Sequence, residues 1–146
     1  MDKSTADFLL RAKRATYAGD GPANASSRPL SRDLRYEEGP LLYIDTYLGG
    51  EKFAGGEAVW KDGRPVWAMN YSGRVLGAGF SRDFHLSALR LGTAERPFRG
   101  PSRHDDGDYS YRCAVDGDAL WFIGREEIFF GGAVIYECVF HGGEIV

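Results

Sequence analysis

The sequence predicts an α+β domain made of two helix-strand-strand-strand units, with one curved antiparallel sheet or open barrel carrying both helices. Two internal matches and a regular alternation of apolar residues predict it. Residues 53–73, FAGGEAVWKDGRPVWAMNYSG, lie without a gap over residues 122–142, FIGREEIFFGGAVIYECVFHG, keeping Phe, Gly, Glu, Gly and Gly in register. Upstream, with one residue dropped between the matches, RPLSRDLRYEEGPLLY (28–43) lies over RPFRGPSRHDDGDYSY (96–111). One domain spanning 1–146 is expected, with repeats at about 5–75 and 82–146, because a chain of 146 residues is near the commonest domain size.

The elements follow in order. Ser4 or Thr5 can cap a helix through DFLLRAKRATYA, where Phe8, Leu9, Ala12 and Ala15 share a face and Arg11, Lys13 and Arg14 point elsewhere. Residues 19–40 are rich in Gly, Pro, Ser and Arg, show no sustained period, and read as a long loop. Strands are expected at 41–48, 52–61 and 65–71, the last two joined by Asp62-Gly63, a strong hairpin signal. A second helix over 82–91 places Phe84, Ala88 and Leu91 on one face. The second unit repeats the plan, with a loop over 92–108 and strands at 109–115, 120–130 and 133–140. Strands joined in sequence by short turns must be antiparallel.

Composition narrows the function classes. Eighteen basic and 21 acidic residues give a formal charge of −3 with no sustained basic stripe, so direct nucleic-acid binding is not expected. No apolar run approaches the ~20 residues that cross a bilayer, and the charged N-terminal segment lacks the apolar centre of a signal peptide. A soluble, cytoplasmic protein is expected. Cys113 and Cys138 have no ligand-like spacing and read as buried reduced thiols. Aromatic residues make up 14% of the chain and 20 residues are Gly, a mixture that suits an aromatic-rich sheet with tight turns.

Strand alternation puts Phe53, Gly55, Glu57 and Val59 on one face, and Phe122, Gly124, Glu126, Ile128 and Phe130 on the matching face of the second repeat. Each face is apolar save one glutamate. A carboxylate so placed must be paired, protonated or open to a cavity. In one reading Glu57 and Glu126 are held by internal partners, with Arg28 and Arg96 the repeat-matched candidates and backbone N–H groups or Tyr hydroxyls also able to serve. In the other they point into a cleft lined by Trp60, Trp67, Tyr71, Phe122, Phe130 and Tyr136, suited to a cationic or planar amphiphilic ligand. The glycine two residues before each glutamate would leave room beside it.

The two loops also repeat RP, a later Arg, an acidic pair and Gly, ending in Glu37, Glu38 and Gly39 or Asp105, Asp106 and Gly107. Loop-to-core ion pairs and turns explain this most simply; an anion-binding edge is the alternative, and two adjacent carboxylates fall short of a calcium site. His85, His104 and His141 have no metal-ligand spacing. No nucleophile or phosphate-loop motif stands in its required context. No catalytic residue, metal or cofactor is therefore assigned.

TYAGDG (Thr16 to Gly21), residues 43–73, RPFRGPS (Arg96 to Ser102) and YECVFHGG (Tyr136 to Gly143) together resemble a bacterial family of uncharacterised domains. Its members are stand-alone small proteins or C-terminal domains of some helix-turn-helix regulators. The resemblance covers nearly the whole chain and implies a sensing role, exercised here without direct contact with DNA. In arrangement, the duplicated units are also similar to the effector-binding domains of multidrug-responsive regulators, whose repeat opens with a strand.

The function expected is thus a small-molecule binding module with an aromatic and glutamate-lined cleft near a pseudo-twofold axis. The rival is a structural or homodimeric interaction domain with both glutamates paired in a filled core. A small hydrolase or isomerase would need a carboxylate of raised pKa beside an open pocket.

Overall fold

The computed structural model describes residues 1–16 and 25–146. The chain runs α1 (Lys3–Ala15), β1 (Arg32–Glu38), β2 (Leu41–Gly49), β3 (Lys52–Lys61), β4 (Arg64–Val75), α2 (Arg82–Leu89), β5 (Arg103–Asp106), β6 (Tyr109–Asp118), β7 (Trp121–Phe130) and β8 (Ala133–Glu144). All eight strands join one antiparallel sheet in the order β1-β2-β3-β4-β8-β7-β6-β5. Each run of four strands is a meander, and the two meet where β4 pairs with β8 from Trp67 opposite Glu144 to Val75 opposite Tyr136.

This corrects the fold class. The helices are two short covers on a sheet-dominated fold, and the α+β plan of helix-strand-strand-strand units does not hold. Four strands follow each helix, and the sheet stays open, with β1 and β5 as its edges. The missed strands lie in the two stretches read as loops. An edge strand with one wet face shows no apolar alternation: β1 reads RDLRYEE, with only Asp33 and Leu34 buried, and β5 is the four residues RHDD. The repeated acidic pair and glycine are the ends of their hairpins. Gly39 and Gly107 take φ of 58° and 57°, the left-handed conformation that glycine adopts at no steric cost.

Other elements lie close to expectation. Asp62 and Gly63 take φ of 51° and 76°, as a two-residue type I′ hairpin requires. Asp2, rather than Ser4 or Thr5, caps α1 by accepting from the Thr5 amide at 2.7 Å. The helix ends at Ala15; the expected continuation through Tyr17 and Ala18, like the start of the first loop and most of TYAGDG, lies outside the described residues. Ser81 caps α2 by accepting from the Phe84 amide at 3.2 Å.

One face of the sheet carries Tyr43, Val59, Trp67, Met69, Tyr111, Phe122, Ile128, Tyr136 and Phe140, all buried. Phe8, Leu9 and Ala12 of α1, Phe84 and Ala88 of α2, and Phe98 after α2 pack onto it. The apolar stripe of each helix and the alternate residues of each strand thereby leave water together, the main favourable contribution to folding. The opposite face is open and carries exposed Trp121, Ile123 and Val139 beside charged Arg125 and Glu127. No described helix is long and apolar enough to cross a membrane.

Candidate functional site

Both predicted glutamates lie on the helix-covered face, and both are buried, Glu57 to 2% and Glu126 to 0% exposure. Each accepts a hydrogen bond from a tyrosine on the preceding strand: Tyr43 bonds Glu57, and Tyr111 bonds Glu126 at 2.6 Å. Tyr43 and Tyr111 are themselves matched in the sequence repeat.

The cations that neutralise the glutamates are not the expected arginines. Lys13, from the buried face of α1, forms an ion pair with Glu57 at 2.5 Å and also donates to the carbonyls of Pro97 at 2.8 Å and Phe98 at 2.5 Å. Arg99, in the segment after α2, donates to one Glu126 oxygen from Nε at 3.1 Å and from Nη2 at 2.8 Å. Tyr136 donates to the same oxygen at 2.9 Å, and His85 of α2 brings Nε2 to 3.3 Å from it. Burial would push the Glu126 carboxyl up, but Arg99 and His85 outweigh it and hold the group well below the usual carboxylate range. Burial pulls the Lys13 ammonium down, against the opposing pull of Glu57. Arg28 and Arg96 bond backbone instead, at the carbonyls of Thr46 and Cys113, each at 3.2 Å.

A cavity of about 220 Å³ opens beside this cluster, between the sheet and α2. Phe53, Tyr71, Phe80 and Tyr136 form its aromatic walls, and His85 and Arg99 reach it as well. Phe80 stacks on Tyr136 at 5.4 Å between centroids, Phe53 stacks on Tyr136 at 6.2 Å, and Arg99 lies over the Tyr71 ring at 5.5 Å. Glu126 sits behind this wall, held by His85, Arg99 and Tyr136. Glu57, held by Lys13 and Tyr43, does not line this cavity.

The carboxyl that reaches the cavity is Asp45 of β2, 3% exposed and directly opposite Glu57 in the β2–β3 register. Tyr71 donates to it at 2.6 Å. Among the described residues no cation stands within ion-pair distance of it. Burial, and then the neighbouring Glu57 charge, push its pKa up to about 7. The same burial and the bonded carboxylate raise the Tyr71 phenol.

Of the residues expected to line a cleft, Tyr71 and Tyr136 do. Trp67 and Phe122 stack on each other at 5.9 Å inside the filled core. Trp60 lies on the opposite face of the sheet in a shallow depression with Arg28 and Asn70. Phe130 packs on Tyr109 at the end of β7, with 38% of its surface exposed. Gly55 and Gly124 leave no free space beside the glutamates: a Cβ on Gly55 would lie 2.6 Å from the Tyr71 hydroxyl, and one on Gly124 would lie 2.2 Å from the Phe140 ring. Both cysteines are buried and free, with burial pushing the Cys138 thiol up to about 12. Among the described residues no group of three or more His, Cys, Asp or Glu could hold a metal ion.

The sequence reading missed Asp45, Lys13, His85 and Arg99 as partners in the site. Asp45 left a signal: it alternates with Tyr43 and Tyr47 in an otherwise apolar strand. Lys13 left a weaker one, four residues after buried Leu9. Arg99 stands in an irregular segment and left none.

Fold and site together define an open antiparallel sheet whose helix-covered face holds a small aromatic cavity over a buried cluster of ion pairs. Residues 45–145 match a domain of unknown function, DUF5680, and the chain belongs to that family. Comparison with curated proteins and with solved structures brings no significant match.

Proposed function

We propose that the protein is a small-molecule binding module, a sensing domain whose site is the aromatic cavity between α2 and the sheet. The observation that carries this reading is the join of aromatic walls to an inward-facing carboxyl, Asp45, with no salt-bridge partner among the described residues, in a space of about 220 Å³. A dry cavity of ~150 Å³ accepts a benzene ring; this one accommodates a ring with a short polar arm. Large apolar walls with a few placed polar groups are the usual make-up of such sites. The resemblance to regulator-linked domains supports a sensing role, carried out in the cytoplasm of a bacterium. On this reading Glu57 and Glu126 stiffen the frame, and Asp45, Tyr71 and Tyr136 meet the ligand.

A thermal-shift screen with single-ring aromatic amphiphiles, cationic and neutral, tests the proposal. A binder at about 100 times its dissociation constant adds ~2.7 kcal/mol of apparent stability. Phe80→Ala, which removes one wall, is expected to abolish that gain. If no compound of this size raises the midpoint, or if Phe80→Ala leaves the gain intact, the cavity is not the site.

A further inference from the structure

Among the described residues, the buried carboxyl groups around Asp45 outnumber the buried lysine and arginine side chains. Two cations face the cluster, Lys13 from α1 and Arg99 from the segment after α2, while three carboxylates face it, Asp45 from β2, Glu57 from β3 and Glu126 from β7. Lys13 is engaged by Glu57 and Arg99 by Glu126. Asp45 is left with the Tyr71 hydroxyl of β4. Opposite it on β1 stands Leu34, buried and apolar. From α2, His85 faces Glu126, with Nε2 3.3 Å from the same carboxylate oxygen that Arg99 holds. Arg82, also on α2, reaches the cavity from an exposed position where water and salt screen it.

A buried carboxylate lacking a counter-charge is costly and either takes a proton or acquires a cation. The cavity gives a cation a route to Asp45 along rings whose faces attract positive charge. We propose that the ligand is a small aromatic ammonium compound, an arylalkylamine, whose cationic nitrogen becomes the counter-charge of Asp45 while its ring packs against Phe53, Phe80 and Tyr136. This rests on the reading of the cavity as a small-molecule site. Below neutral pH, binding is then an exchange: the proton on the Asp45 carboxyl leaves to solvent as the ammonium arrives, and charge is conserved in the cluster. Affinity follows the ionised fraction of Asp45, which rises through pH 7.

Calorimetric titration of the whole protein with 2-phenylethylamine, and with its neutral isostere 2-phenylethanol, tests this at pH 6 and pH 8 in two buffers of different ionisation enthalpy. The amine is expected to bind about tenfold more tightly than the alcohol at pH 8. It is also expected to bind about tenfold more tightly at pH 8 than at pH 6, with net proton release at pH 6. Asp45→Asn is expected to remove both differences, so that amine and alcohol bind alike at both pH values. Equal binding of alcohol and amine overturns the ammonium inference but leaves the cavity as a binding site. A pH slope that survives in Asp45→Asn overturns the role given to Asp45. Binding of neither probe overturns this inference together with the reading it rests on.

Discussion

At the scale of single residues, Asp45 stands in a costly environment, because it is buried and its neighbour across the strand pair is another carboxyl. Burial and Glu57 raise its pKa from the ordinary aspartate value to about 7, so between roughly pH 4 and 7 the folded protein holds a proton there that the unfolded chain has already given up. Stability from this group is therefore full below pH 4 and falls as the pH rises to 7. Asp45→Asn keeps an acceptor for Tyr71 and removes the titration. The variant is expected to melt higher than the wild type at pH 8, with a gap that shrinks towards pH 4; melting curves across that range check it. A variant that melts lower at pH 8 would mean that the Tyr71–Asp45 bond outweighs the buried charge. Glu126 shows the opposite balance, since Arg99, His85, Tyr111 and Tyr136 converge on it. Residue type and alternation in the sequence place both glutamates on the buried face. Their cations come from elements far away along the chain, so no local pattern encodes the pairing.

Among the elements, β7 shows why a glycine can be obligatory inside a strand. A Cβ on Gly124 would lie 2.2 Å from the Phe140 ring, which is 1% exposed and walled in by its neighbours. Gly131, in the turn between β7 and β8, has open space and a φ of 55°. Gly124→Ala is expected to cost ~1–3 kcal/mol through overpacking, and Gly131→Ala ~1–2 kcal/mol through backbone strain alone. Urea denaturation of both variants measures this, and a Gly124→Ala cost near zero would show that Phe140 has somewhere to go. The central strands and both helices are legible in the sequence because burial imposes a period on them. The edge strands β1 and β5 are not, because half of each faces water and its charges answer to local pairs such as Arg35 with Glu37 at 3.0 Å and Arg103 with Asp105 at 2.5 Å. Those charges also discourage another chain from pairing with the open edges.

For the whole molecule, the sheet order puts the β4–β8 ladder at the centre and the least covered strands at the rims. Amide exchange is expected to be slowest in β3, β4, β7 and β8 and fastest in β1 and β5, since local opening begins where fewest contacts must be lost. Slow exchange confined to one meander would show that the two fold as separate units. Sequence similarity between the halves leads to units of three strands, whereas each meander has four; their junction depends on backbone pairing between distant segments, which no periodicity records. One contact crosses that junction with particular consequence. Lys13 belongs to the first half, yet two of its three protons go to carbonyls at Pro97 and Phe98 in the second. An intermediate with only the first meander formed would leave that ammonium short of partners beside Glu57. The lysine thus acts as a lock between the halves and favours a single, all-or-none unfolding transition over a stepwise one.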